Sequence, residues 1–130
     1  MWEKMVRQFE YETAGWKRLL SFLKDENVHL RNRLADVVSE DMNGTLLEKA
    51  ENLQAGFSNI DEIINWLAGE VFFQERLLQR ESFPGAEQLR KILKGQEELR
   101  KNSIKAEELF HATRNEFREF VEACYSGQHV

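Results

Sequence analysis

One stretch decides the fold of this chain: WEKMVRQFEYETAGWKRLLSFLKDENVHLRNRLADVVSE, residues 2–40. Its apolar side chains recur every seven residues, at Trp2, Phe9, Trp16, Leu23, Leu30 and Val37. A sustained seven-residue apolar repeat is typical of a long helix that presents one face to neighbouring helices. Because no proline interrupts the stretch, we predict a single helix about 57 Å long, at a rise of about 1.5 Å per residue.

Two later segments carry the same kind of apolar stripe. Residues 45–81 alternate spacings of four and three between apolar positions, and residues 86–125 repeat the pattern more weakly. Asn and Gly at 41–44, and Pro and Gly at 82–85, supply the turn chemistry that separates the three segments. The polar residues on the core-facing lines of the second and third segments are Gln74, Gln96, Ser103 and Thr113.

The connections between the segments are short, and short connections place consecutive helices antiparallel. We therefore predict an all-α fold, an up-down-up bundle of three long antiparallel helices with coiled-coil-like packing. A chain of 130 residues suits one domain. We expect that domain to cover residues 1–125, with helices at about 2–40, 45–81 and 86–125, and we expect residues 126–130 to form a flexible tail.

Composition excludes some classes of protein. The chain has no run near the ~18 consecutive apolar residues of a transmembrane helix, and its first residues lack a secretory signal pattern. Cys124 is the only cysteine, which rules out an intramolecular disulfide; its apolar neighbours assign it to the core. We therefore expect a cytoplasmic protein that makes no membrane contact.

The charge distribution bears on nucleic acid as a partner. The net charge is −5, whereas nucleic-acid binding usually selects a net basic face. Residues 90–105 carry six basic and two acidic side chains, a pattern that also fits a solvated face or a complement to the acidic second helix. Nucleic-acid binding is therefore the third and weakest hypothesis.

Several large apolar side chains fall outside the core-facing lines. Between residues 60 and 78 the second helix is apolar nearly all round, and such a helix needs partners on more than one side. We predict a partner-binding surface, in a homodimer by preference because most soluble oligomers are homomeric, or with another protein. The alternative is a wide core in which the third helix and Phe83 cover these residues. The predicted surface consists of Tyr11, Phe22, Ile63, Trp66, Phe73 and Leu77.

The sequence favours a non-catalytic structural or protein-interaction module, such as an adaptor, a scaffold or a small chaperone-like binder. The chain has no phosphate-binding glycine motif, paired-cysteine metal motif or nucleophile elbow, so we expect no enzyme activity, catalytic residue or cofactor. Glu12 and Glu26 interrupt the stripe of the first helix, which leaves one alternative from another class: a bundle that binds a metal ion or small ligand through core carboxylates.

Two Glu-x-x-His spacings bear on that alternative, Glu26 with His29 and Glu108 with His111. Dimetal helical bundles use this spacing on two of their helices. In this chain the helical periodicity turns Glu108 and His111 outward and leaves His29 at the flank of its stripe. We therefore predict no metal site at these residues.

Overall fold

The computed structural model describes residues 1–38, 44–79 and 83–126, and these form three helices. They are α1 (Trp2–Val38), α2 (Gly44–Leu78) and α3 (Ala86–Ser126). Helix α2 packs along both α1 and α3, which confirms the predicted three-helix bundle. The predicted helical residues 39–40 and 80–81, and the predicted tail positions 127–130, lie outside the described residues.

The core runs along the bundle axis and is built from the predicted stripes. In its main part, Phe57 of α2 meets Phe117 of α3 edge to face, with ring centres 6.0 Å apart. At the end that holds the N-terminus, Phe9, Leu78 and Ile92 form a second buried cluster. Both α1·α2 and α2·α3 are antiparallel neighbours, and the parallel pair α1·α3 shares fewer contacts.

The turn before α3 closes this end of the bundle. Phe83 lies outside the helices, and its ring packs edge to face on Trp2 at 6.0 Å between ring centres. Trp2 in turn packs against the end cluster of the core. Phe83 therefore covers the start of α1.

Polar side chains cross the core near this end, where they join all three helices. We call Glu12, Gln74, Gln96 and Arg100 the Gln96 cluster. The Gln74 amide donates to the carbonyl oxygen of Ile92 at 2.8 Å and to Gln96 Oε1 at 3.0 Å. The Gln96 amide donates to Glu12 Oε1 at 3.2 Å, and Arg100 donates two hydrogen bonds of 2.7 Å to the same carboxylate. The cluster therefore connects α2 to α3 and α3 to α1.

Glu12 is charged in this setting. The hydrogen bonds from Arg100 hold the pKa of the Glu12 carboxyl below its ordinary value of 4.5, and they outweigh the opposing effect of partial burial. The same contact raises the pKa of the Arg100 guanidinium. The pair is thus an ion pair with two parallel hydrogen bonds, the strong geometry for arginine and carboxylate.

A second polar group, which we call the Asn27 cluster, lies further along the bundle and consists of Asn27, Arg31, Ser58 and Asp61. The fully buried Asn27 amide donates to the Phe57 carbonyl oxygen at 2.9 Å and to Asp61 Oδ1 at 3.0 Å. Arg31 donates to the other oxygen of Asp61 and to Ser58 Oγ. These bonds join α1 to α2.

The buried polar positions of α1 lie next to the two glutamates that interrupt its apolar stripe. Glu12 and Glu26 are both partly exposed, and the buried polar residues are Thr13 and Asn27, one position further along. One residue turns a helix by about 100°, which is enough to move a side chain from the flank into the core. On the core-facing lines of α2 and α3, Gln74, Gln96, Ser103 and Thr113 are all buried.

Candidate interaction surface

A groove runs between α2 and α3 on the outside of the bundle. Its α2 side is lined by Trp66, Phe73, Leu77 and Glu70, and its α3 side by Lys91, Lys94 and Glu98. Spacings of seven and four residues bring the three apolar side chains to one flank of α2. The groove has a volume of about 390 Å³, and its exposed aromatic rings lie on α2 whereas its two lysines lie on α3.

The floor of the groove is set by a glycine. An ideal Cβ on Gly95 would lie 2.5 Å from Gln74 Oε1, closer than real Cβ contacts come. Gln74 cannot move away freely, since its amide nitrogen is held by Ile92 and Gln96. The absence of a side chain at residue 95 therefore lets α2 and α3 approach here while Gln74 keeps its place in the Gln96 cluster.

The predicted residues on α2 differ in exposure. Trp66 is 54% exposed and Phe73 is 61% exposed. Ile63 and Leu77 are half-buried, because each packs against a core cluster. The wide-core alternative thus applies to Ile63 and Leu77 and does not apply to the two aromatic rings.

The predicted residues on α1 lie elsewhere. Tyr11 and Phe22 are eleven residues apart, about three helical turns, so they share one face of α1. Tyr11 is 76% exposed and Phe22 is 56% exposed, and neither lines the α2–α3 groove. The structure therefore brings Trp66, Phe73 and Leu77 together and leaves Tyr11 and Phe22 on a separate surface.

Phe72 is a further exposed aromatic residue that the predicted surface did not include. It lies on the opposite flank of α2 and lines a groove between α1 and α2, together with Lys17 and Lys24. The Arg76 guanidinium sits 5.9 Å from the centre of its ring. Adjacent positions on a helix point about 100° apart, which is why Phe72 and Phe73 serve different grooves.

The α2–α3 surface continues to the other end of the bundle, where its character changes. A smaller depression there is lined by Lys49, Asn52 and Leu53 of α2 and by Glu116, Glu119 and Ala123 of α3. All of these except Leu53 are exposed. In the part of the chain that the structure describes, the same face is therefore aromatic at one end, where two lysines and two glutamates line it, and lacks exposed aromatic rings at the other, where one lysine and two glutamates line it.

The residues of the metal and ligand hypotheses do not converge. His29 and Glu108 are exposed, and Glu26 and His111 are partly exposed. Within the described ranges, no group of three or more His, Cys, Asp or Glu side chains is placed to hold a metal ion. Cys124 is half-buried and packs against the main core.

Comparison with known proteins gave no match: no family model, curated protein or solved structure matches the chain. Across the described part of the chain, none of the helices combines the length and the apolar content needed to cross a bilayer.

Proposed function

We propose that the chain is a non-catalytic protein-interaction module that self-associates through the α2–α3 groove. One observation carries the proposal: Trp66 and Phe73 are both more than half exposed, side by side along a groove. Tryptophan and aromatic residues in general are enriched at the buried centres of protein interfaces. Burial of each ring is worth roughly 2 kcal/mol at about 25 cal/mol per Å² of apolar surface.

The hydrogen bonds of Glu12 give less support to the ligand-binding alternative. Glu12 already accepts two hydrogen bonds from Arg100 and one from Gln96. A ligand would have to replace this paired guanidinium, and removing one partner of such a pair is costly. We place the module in the cytoplasm, since a lone, half-buried cysteine suits a reducing compartment.

The test compares the oligomeric state of two double variants by light scattering and sedimentation equilibrium. We expect wild type to be a dimer and Trp66→Ala/Phe73→Ala to have a dissociation constant at least about a hundredfold higher. The matched control is Tyr11→Ala/Phe22→Ala, which removes two rings of α1 that are also more than half exposed and should leave the dimer intact. Circular dichroism checks that both variants keep their helix content.

A wild-type chain that stays monomeric at every concentration would contradict the proposal. If the α1 variant dissociates and the α2 variant does not, self-association stands but the groove is the wrong surface.

A further inference from the structure

We infer that the occupant of the α2–α3 face is a second copy of the chain, docked antiparallel about a two-fold axis that crosses both helices. This inference rests on the proposed self-association and adds the geometry. It follows from the charge of α3, which reverses along its length. Residues 86–105 carry six basic and three acidic side chains, and residues 106–126 carry two basic and five acidic ones.

An antiparallel two-fold arrangement sets α3 of one copy against α3 of the other with their ends reversed. The basic half of each copy then meets the acidic half of the other, and opposite charge across an interface fixes its register. Lys91 and Lys94 line the aromatic end of the face, and Glu116 and Glu119 line the opposite end. If the two-fold axis passes α3 at Lys105, Lys91 lies level with Glu119 of the second copy. Lys94 then lies level with Glu116 of the second copy.

The same axis also fits the apolar residues of α2. The register of α2 against α3 follows from two contacts, because Gln74 bonds to Gln96 and Gly56 lies against Thr113. Since the two helices are antiparallel, Lys105 of α3 lies at the height of residues 64–65 of α2. Trp66 of one copy then lies level with Ile63 of the second copy, one turn or less from the axis. The binding energy of an interface concentrates in buried residues near its centre, and this is where the exposed tryptophan falls.

A parallel two-fold arrangement is the alternative. It would set α2 of one copy against α3 of the other at the same height, so the basic and acidic halves of α3 would not meet. Glu116 and Glu119 would instead face the start of α2, where Lys49 lines the depression. Because the two arrangements pair different charged residues, charge reversal on α3 distinguishes them.

The face is large enough for a stable dimer. Helix α2 has 35 residues, about 52 Å at about 1.5 Å per residue, and two adjacent helices are roughly 20 Å wide. The product, on the order of 1,000 Å², exceeds the roughly 800 Å² that each partner buries in a standard interface.

The experiment reverses the charge of one end at a time on exposed residues. Lys91→Glu/Lys94→Glu and Glu116→Lys/Glu119→Lys should each raise the dissociation constant of the homodimer roughly tenfold or more at low salt. A mixture of the two variants should form a heterodimer with about the wild-type constant. The quadruple variant, which exchanges both ends of one chain, should also recover the homodimer.

The matched control is Lys4→Glu/Arg7→Glu, which makes the same change in net charge as Lys91→Glu/Lys94→Glu but on the exposed start of α1, and it should leave the dissociation constant unchanged. If wild type dimerises through Trp66 and Phe73 but neither reversal weakens it, the antiparallel geometry is wrong and the proposed function stands. Failure of the quadruple variant to associate would also overturn the geometry. A monomeric wild type would remove both proposals together.

Discussion

The two polar clusters of the core differ in how many helices they join and in how completely their atoms are paired. In the Gln96 cluster, the buried amide of Gln96 accepts from Gln74 and donates to Glu12, so one side chain connects three helices. In the Asn27 cluster, the hydrogen bonds join only α1 and α2. Among the described residues, the buried Asn27 Oδ1 has no hydrogen-bond partner.

This difference indicates what each cluster contributes. A hydrogen-bonded network in the core fixes how its helices align, because any slip leaves donors and acceptors without partners. Gln74 belongs both to the Gln96 cluster and to the wall of the α2–α3 groove. The Gln96 cluster therefore positions the proposed interaction surface, whereas the Asn27 cluster lies outside that groove.

The largest effect is expected for Gln96→Met, which keeps the length of the side chain and removes its amide. The substitution leaves one N–H of Gln74 unpaired in the core and removes a donor from Glu12. We expect a loss of about 3 kcal/mol in the free energy of unfolding, measured by urea denaturation. A loss under about 1 kcal/mol would mean that the cluster does not fix the alignment of the helices.

A smaller effect is expected for Gly95→Ala, which should lower the free energy of unfolding although this type of substitution normally raises it. Glycine to alanine inside a helix normally stabilises by up to about 1 kcal/mol. At residue 95 the new methyl group must displace the Gln74 amide, so we expect a loss of about 2 kcal/mol from its two hydrogen bonds. The control is Gly15→Ala, where the nearest atom lies at an ordinary 3.8 Å and stability should rise. Equal effects at both sites would contradict the role of Gly95.

The sequence predicted the fold because the apolar stripes are long and uninterrupted. It also placed Gln96 on the core-facing line of α3, where a polar residue among apolar ones stands out, but its complete burial depends on partners from α1 and α2. The polar residue predicted on the stripe of α1 is Glu26, whereas the buried polar residue is its neighbour Asn27. This difference has a physical cause. The seven-residue apolar repeat that begins at Trp2 marks one of two core-facing lines of α1. The second line is partly polar, so apolar periodicity alone does not reveal it. That line is Val6, Thr13, Leu20, Asn27 and Leu34.

The candidate surface was predictable only in part. The position of Trp66 and Phe73 on the wheel of α2 predicted that they lie outside the core, and their exposure agrees. The separation of Tyr11 from them depends on how α1 is rotated about its own axis, which the packing of three helices decides. Likewise, Glu12 and Arg100 are 88 residues apart, and no local pattern connects them.

The Gln96 cluster also predicts how stability depends on pH. The pKa of Glu12 is lowered in the folded state, so its stabilisation is complete above the ordinary value of 4.5 and is lost as pH falls through the lowered pKa. Discounting for solvent exposure of the pair, we expect about 1 kcal/mol from this residue. The Glu12→Gln variant should therefore lose less stability than wild type between pH 6 and about pH 3. Parallel pH profiles for the two proteins would contradict the assignment.

The smallest effect is expected for Asn27→Leu, the counterpart of Gln96→Met in the other cluster. Asp61 keeps its bond to Arg31. The Phe57 carbonyl oxygen lies inside α2 and keeps its backbone hydrogen bond within that helix. Neither group is therefore left without a partner. The substitution also removes the unpaired Oδ1, and replacing a poorly paired buried polar group by an apolar one of similar size is often neutral or stabilising. We expect a change within about 1 kcal/mol of wild type by urea denaturation. A loss as large as that of Gln96→Met would show that joining two helices matters as much as joining three.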